Sequence, residues 1–145
     1  MREITSAEVT HLMRYAYVLI KPPERWAQGF LAYDRFGRHV LPNSPVALKF
    51  SVRGSINYAL SRCGWRGMPG DPEEGMVVRH LLTAGNPDMP RSFLDIVWGG
   101  SSAQLCALFD TYNDKHTHPV ICAWMKAAVE RRRSFEQPLP MRGAR

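Results

Sequence analysis

Apolar positions recur along most of the chain at helical spacing. Val9, Leu12, Met13, Ala16 and Ile20 fall on one stripe, and Thr5 followed by Glu8 has the spacing of a capping box. The pattern predicts a first helix from about Thr5 to Ile20. Lys21-Pro22-Pro23 ends it, because proline lacks the amide donor and crowds the preceding turn. Residues 30–33 and 38–41 then read as two short strands of a hairpin, with Asp34 to Gly37 as the turn. A two-stranded ribbon is marginal in water and must lean on the helices. Trp26, Phe30 and Phe36 are the candidates for that contact.

Ser44-Pro45 has the form of a helix start, a capping hydroxyl followed by proline at the first helical position. The pattern extends a second helix through Val52 and Ile56 to Leu60, apolar around most of its circumference and hence central. Gly54 inside it costs about 1 kcal/mol relative to alanine, which implies close approach of another backbone, the hairpin being one choice. Residues 62–70 form a glycine-rich loop that Trp65 anchors. Asp71 caps a third helix, with Glu73 and Glu74 at its positive end, and Gly85-Asn86-Pro87 stops it. Residues 93–98 fit a strand or a helical turn equally. After the break at Gly99-Gly100-Ser101-Ser102, Leu105, Leu108, Phe109 and Tyr112 give the buried face of a fourth helix. Thr117 and Pro119 open a last helix with Ile121, Trp124, Met125 and Ala128 on its stripe. The expected fold is mainly α (α+β), about five helices with a short β-hairpin near residues 29–41. One globular domain spans residues 1–133, and residues 134–145 form a loosely held, proline-containing basic tail.

Composition agrees with a single globular domain: 145 residues, 45% hydrophobic and 22% charged. No apolar run approaches the length of a bilayer span and no signal-peptide core opens the chain, so a cytoplasmic setting is the default. Cys63, Cys106 and Cys122 form no CxxC pair and fit reduced thiols. The net charge of +6 permits an acidic partner or nucleic acid. Much of it sits at the C-terminus, in Arg131, Arg132, Arg133, Arg142 and Arg145.

No coherent catalytic set, phosphate loop, dinucleotide fingerprint or zinc motif is present. The residues that could contribute to an enzyme site are Asp34, Asn113, Asp114 and His116, with Asp34 and Asp114 a paired acid and base if the fold brought them together. Asn113 and Asp114 fit better as organisers of the link between the last two helices, since Asn and Asp bond readily to nearby backbone. Asp114-x-His116-x-His118 offers the donor types of a metal site without a recognised spacing. Trp26 and Gln28 could form a ligand shelf or simply pack. Cys63 has basic neighbours in Arg62 and Arg66, which would favour a thiolate, though no histidine is adjacent. Gly99 to Ser102 could cradle an anion on its amides. No cofactor is implied.

Three segments taken together resemble a family. Trp26-x-Gln28-Gly29 with Asp34 and Gly37, Phe50-Ser-Val-x-Gly54-x-Ile56, and Tyr112-Asn113-Asp114 resemble the signatures of a small bacterial and phage domain family of unknown function. The resemblance covers most of residues 8–130. It departs at Tyr112, where tryptophan or phenylalanine is common, at Ser55, where alanine is common, and across residues 64–100. It implies a bacterial or phage source and supplies no catalytic residues. The resulting expectation is a non-catalytic accessory or binding protein acting through a protein-partner surface, in one version a phage-encoded inhibitor of a host system. Its binding candidates are Trp26, Gln28, Arg131, Arg132 and Arg133. The alternatives are a nucleic-acid-binding protein using the basic C-terminus, aided by Arg53, Arg62 and Arg66, and a small enzyme with an Asp/Asn/His site.

Overall fold

The computed structural model describes residues 3–136, and the fold is mainly α with a small antiparallel β element. In chain order the elements are α1 (Ser6–Ile20), a 3-10 turn (Pro23–Arg25), β1 (Ala32–Tyr33), β2 (Lys49–Phe50), α2 (Val52–Arg62), α3 (Pro72–Gly85), α4 (Arg91–Gly99), α5 (Ser102–Lys115) and α6 (His118–Glu136). No helix among the described residues is long and apolar enough to cross a membrane.

Helix α1 begins as its sequence predicts. The Thr5 hydroxyl accepts from the Glu8 amide at 3.1 Å, and the Glu8 carboxylate accepts from the Thr5 amide at 2.9 Å. The same reciprocal box, Ser101 with Gln104, opens α5. The buried stripe of α1 packs on α2 and α6, and α3 closes the core from the other side. Phe50, Phe109, Leu12, Met13, Ile56 and Met125 are among its fully buried side chains.

The second helix departs from its predicted start. It is capped by Ser51, whose hydroxyl accepts from the Gly54 amide, rather than by Ser44. Residues 49–50 are withdrawn from the helix because β1 takes them as its ladder partner, Ala32 opposite Phe50 and Tyr33 opposite Lys49. The predicted hairpin survives as a single bridge between Tyr33 and His39, with the Asp34–Gly37 turn closed by the Gly37 amide on the Asp34 carbonyl. Pairing with residues 49–50 gives β1 a partner fixed to a core helix, which an isolated ribbon lacks.

Residues 91–99 resolve as helix α4, with Val97 buried and Ile96 and Trp98 exposed. Leu108, expected on the buried face of α5, is exposed. Asp71 makes no side-chain cap on α3. It accepts instead from Arg66 and from the Met68 amide. Helix α6 runs to Glu136, three residues beyond the predicted domain end. The remainder of the expected tail, residues 137–145, lies outside the described residues.

Gly54 meets the expectation of close approach. A Cβ built there would lie 1.9 Å from the Leu31 carbonyl oxygen, the same atom that accepts from the Ser51 amide at 3.1 Å. Backbone cannot give way as a side-chain tip can. Gly54→Ala is therefore expected to lose at least about 2 kcal/mol of stability, despite alanine's better helix propensity. Urea denaturation measures this, and a variant as stable as the parent would contradict the contact.

Candidate functional site

Three distant segments of the chain converge on one side chain. Asn113, near the end of α5, is 2% exposed. Its Oδ1 accepts from Trp26 Nε1 at 2.9 Å and from the Val52 amide at 3.1 Å, and its Nδ2 donates to the Ala27 carbonyl at 3.0 Å. One amide thus ties the chain before β1, the first turn of α2 and the end of α5. Gln28 completes the joint from outside. Its Nε2 lies 3.3, 3.0 and 3.1 Å from the carbonyls of Asn113, Asp114 and His116, which have no partner within α5. Asp114 Oδ1 accepts from the Gly29 amide at 2.9 Å, and Gly29 holds a φ of +89° that a side chain would strain.

A second, charged cluster lies beside this joint. Glu74 is fully buried and pairs with Arg53, Nε to Oε2 at 2.5 Å and Nη2 to Oε1 at 3.3 Å. Asn57 Nδ2 and the Gly70 amide also donate to Glu74, at 2.7 Å each. Arg53 Nη1 reaches on to Asp110 Oδ2 at 3.0 Å. Burial alone would drive the Arg53 guanidinium down, but the hydrogen bond and charge of Glu74 more than offset it, so it titrates above its usual value. Burial pushes the Asp110 carboxyl up against the pull of Arg53, with Glu74 and Asp114 adding repulsion. The Cys106 thiol is pushed up to about 11 by burial and by the nearby Glu74 carboxylate, and stays protonated.

Arg53, Asp110 and Asp114 share a cavity of about 220 Å³ with Gly29, Leu31 and Ser51. This is the nearest approach to a catalytic grouping, yet its members are already engaged. Asp110 holds Arg53, Asp114 holds Gly29, and the Ser51 hydroxyl caps α2. Asp34 does not join them. Its Oδ1 accepts from the Phe36 and Arg38 amides, each at 2.9 Å, and its Oδ2 from Arg38 Nε at 2.8 Å. A paired acid and base of Asp34 with Asp114 is therefore not formed.

The histidines are likewise spent on structure. His116 Nδ1 bonds the Tyr112 carbonyl at 2.8 Å, and His118 Nε2 bonds the Ile20 carbonyl at 2.8 Å, with Cys122 Sγ at 3.2 Å. Among the described residues no three His, Cys, Asp or Glu side chains gather in a metal-binding arrangement, Asp114, His116 and His118 included. At Gly99–Ser102 the Ser101 amide donates to Gln104 and the Gly100 amide to Ile96, which leaves neither for an anion. The Cys63 thiol is raised by burial and by Glu8 rather than lowered by its arginine neighbours.

Of the basic candidates, Arg131 Nη1 donates to the Ala84 carbonyl at 2.6 Å. Arg132 donates to Thr10 Oγ1 and His80 Nδ1 at 2.9 Å and to Ser6 Oγ at 2.8 Å. Arg133 is exposed, whereas Arg53 lies within the charged cluster and not on a surface that phosphates reach. Sequence reasoning missed Glu74 and Asp110 as partners of Arg53. An arginine on a helix that the apolar pattern places at the centre of the fold was the signal that could have pointed to a buried counter-ion. Comparison with family models, with curated proteins and with solved structures found no match.

Two measurements test this assignment. Asn113→Ala leaves the Val52 amide and Trp26 indole without an acceptor, and is expected to cost about 2–4 kcal/mol in urea unfolding at about 1–3 kcal/mol per orphaned group. A loss below about 1 kcal/mol would contradict the joint. Asp34 gives a pH dependence. The Arg38 amide, followed by the Arg38 side chain and the Phe36 amide, holds its carboxyl below the usual carboxylate range against the opposing effect of burial. A depressed folded-state pKa gives stability that is present above the unfolded value and lost as pH falls through the folded one. Asp34→Asn should lower Tm at pH 7, and the gap to the parent should close as acid protonates the parent's own carboxyl. A gap constant down to the acid transition would contradict it.

Proposed function

We propose that the chain is a non-catalytic binding protein that works by presenting a surface to a protein partner. One observation carries this reading. The loop between β1 and β2 holds Phe36 (67% exposed), Leu41, Val46 (58%) and Leu48 out in solvent, with Phe30 just ahead of it. Four large apolar side chains exposed along one loop offer apolar area of the kind that partner-binding surfaces use. The Arg35 and Arg38 guanidiniums lie 4.8 and 5.1 Å from the Phe36 ring centre, and arginine with aromatic side chains is what interface centres favour. The loop is also held in shape. Buried Asp34 organises one turn, and the Leu48 amide returns to the Tyr33 carbonyl at 2.8 Å. A preformed loop loses less freedom on binding.

The resemblance to bacterial and phage domains supports an accessory role, with inhibition of a host system as one version. The engagement of Asp34, Asn113, Asp114 and His116 in structural bonds supports binding over catalysis. The nucleic-acid reading rests on the basic C-terminus, of which Arg133 is exposed.

Affinity capture from a lysate of the source cell separates these readings, using the parent and a Phe36→Asp, Val46→Asp double variant. Both positions are exposed, so Tm should be unchanged. The expected result is a protein retained by the parent and lost by the variant. An identical captured set on both would overturn the loop assignment. Material released by nuclease, with binding that falls steeply as salt rises, would transfer the function to nucleic acid.

A further inference from the structure

A cavity of about 400 Å³ lies where four helices meet, far from the Asn113 joint in the chain. Ser6 at the start of α1, His80 and Ala84 on α3, Leu94 on α4, and Arg131 and Arg132 on α6 all line it. Its volume falls within the range of small-molecule sites, about 300–1,000 Å³. The larger depression on α1, bounded by His11, Arg14 and Arg25, is backed by one helix and the turn that follows it. Convergence of four elements makes the smaller cavity the better-built one.

Its chemistry is divided. Ala84, Pro87 and Leu94 supply apolar wall, while Arg131 and Arg132 supply positive charge, and no carboxylate lines it. Arg132 is spoken for. It donates to Thr10, Ser6 and His80, and since arginine has no acceptor, His80 Nδ1 must accept and its ring proton lies on Nε2. Arg131 is different. One nitrogen, Nη1, is anchored on the Ala84 carbonyl at 2.6 Å, which orients the planar guanidinium at the cavity edge without using its other donors.

We propose that this cavity binds a small monoanion with an apolar body, a medium-chain or aromatic carboxylate, whose carboxylate pairs with Arg131 and whose hydrocarbon lies against Ala84, Pro87 and Leu94. An anchored guanidinium with donors to spare suits bidentate carboxylate recognition, and one such group matches one negative charge. The positive charge at its edge disfavours cations, and the apolar wall disfavours a fully solvated inorganic anion.

Octanoate is the probe, titrated calorimetrically into the full chain with octanamide as the uncharged control. Saturable one-to-one binding of octanoate, at least about tenfold tighter than octanamide, is expected. Arg131→Gln should weaken octanoate about tenfold or more and leave octanamide unchanged. Arg131 also supports the end of α3, so Leu94→Glu serves as a second variant. Leu94 is partly exposed, so the helix should keep its fold while the new carboxylate repels the ligand. Absence of saturable binding, equal affinity for the amide, or an unchanged octanoate affinity in a folded Leu94→Glu variant would each overturn the site.

Discussion

Asn113 must be satisfied for the rest of the fold to stand. A primary amide buried to 2% exposure is costly unless its donors and acceptor are paired. Its partners come from three distant parts of the chain: the Trp26 indole and Ala27 carbonyl, the Val52 amide, and the end of its own helix. None of these can move without unpairing another. Hydrophobic burial brings α1, α2, α3 and α6 together without strong directional preference. The Asn113 bonds fix where α2 begins and how the β segment crosses it. The Gly54 contact follows, since Leu31 can rest on α2 only where no side chain projects.

The charged cluster around Glu74 is a second constraint of the same kind. A lone buried carboxylate would be strongly destabilising, and Arg53, Asn57 and the Gly70 amide together make it tolerable. Replacing such a group by well-packed apolar residues is often neutral or better in stability, so the cluster is poor evidence of strength. It does set register. Glu74 on α3 meets Arg53 on α2, Arg53 meets Asp110 on α5, and the pairing disfavours packings that slide one helix along another. Asp110 is raised and partly exposed, a combination found at active sites as well as in structural pairs. In the 220 Å³ cavity its neighbours Ser51 and Asp114 are each engaged in bonds that hold the fold.

How much was legible in the sequence depended on how local the cause was. The Thr5–Glu8 box, the proline stop after Ile20 and the Ser101 start of α5 act within a few residues, and each reads directly. Gly54 was legible as a close approach because a glycine inside an apolar helix has few other reasons to be there. The Ser44-Pro45 signal misled because residues 49–50 had a better use. Two ladder pairs with β1 could be formed only by giving up a turn of helix, and Ser51 supplied a replacement cap. Residues 91–99 could not be resolved by period alone, since a short, mostly apolar segment such as Phe93 to Trp98, interrupted by Asp95, fits either state. The candidate site was legible as a set of unusual residues but not as a geometry. Trp26, Gln28 and Asn113 do meet, whereas Asp34 turns back on its own loop, a difference that only a long-range contact decides.

The distribution of arginine illustrates why charge in a sequence underdetermines function. Arg131, Arg132 and Arg133 are consecutive, and on composition alone they form one basic patch. Successive residues on a helix point about 100° apart, so three neighbours face three directions. Arg132 turns inward to join α6 to the first turn of α1 and to His80, Arg131 supports the last turn of α3, and Arg133 faces solvent. Arg131 satisfies a carbonyl at the end of α3, and Arg132 ties α6 to Ser6 and Thr10 on α1, so their charge is coupled to packing before it is offered to any ligand. Arg35 reaches the opposite outcome on a loop, where no helix end competes for it and it lies over the exposed Phe36 ring, while Arg38 divides itself between that ring and the Asp34 carboxylate. The proposed binding surface therefore lies on the loop that sets Arg35 against the exposed Phe36 ring and not on the run of arginines in α6.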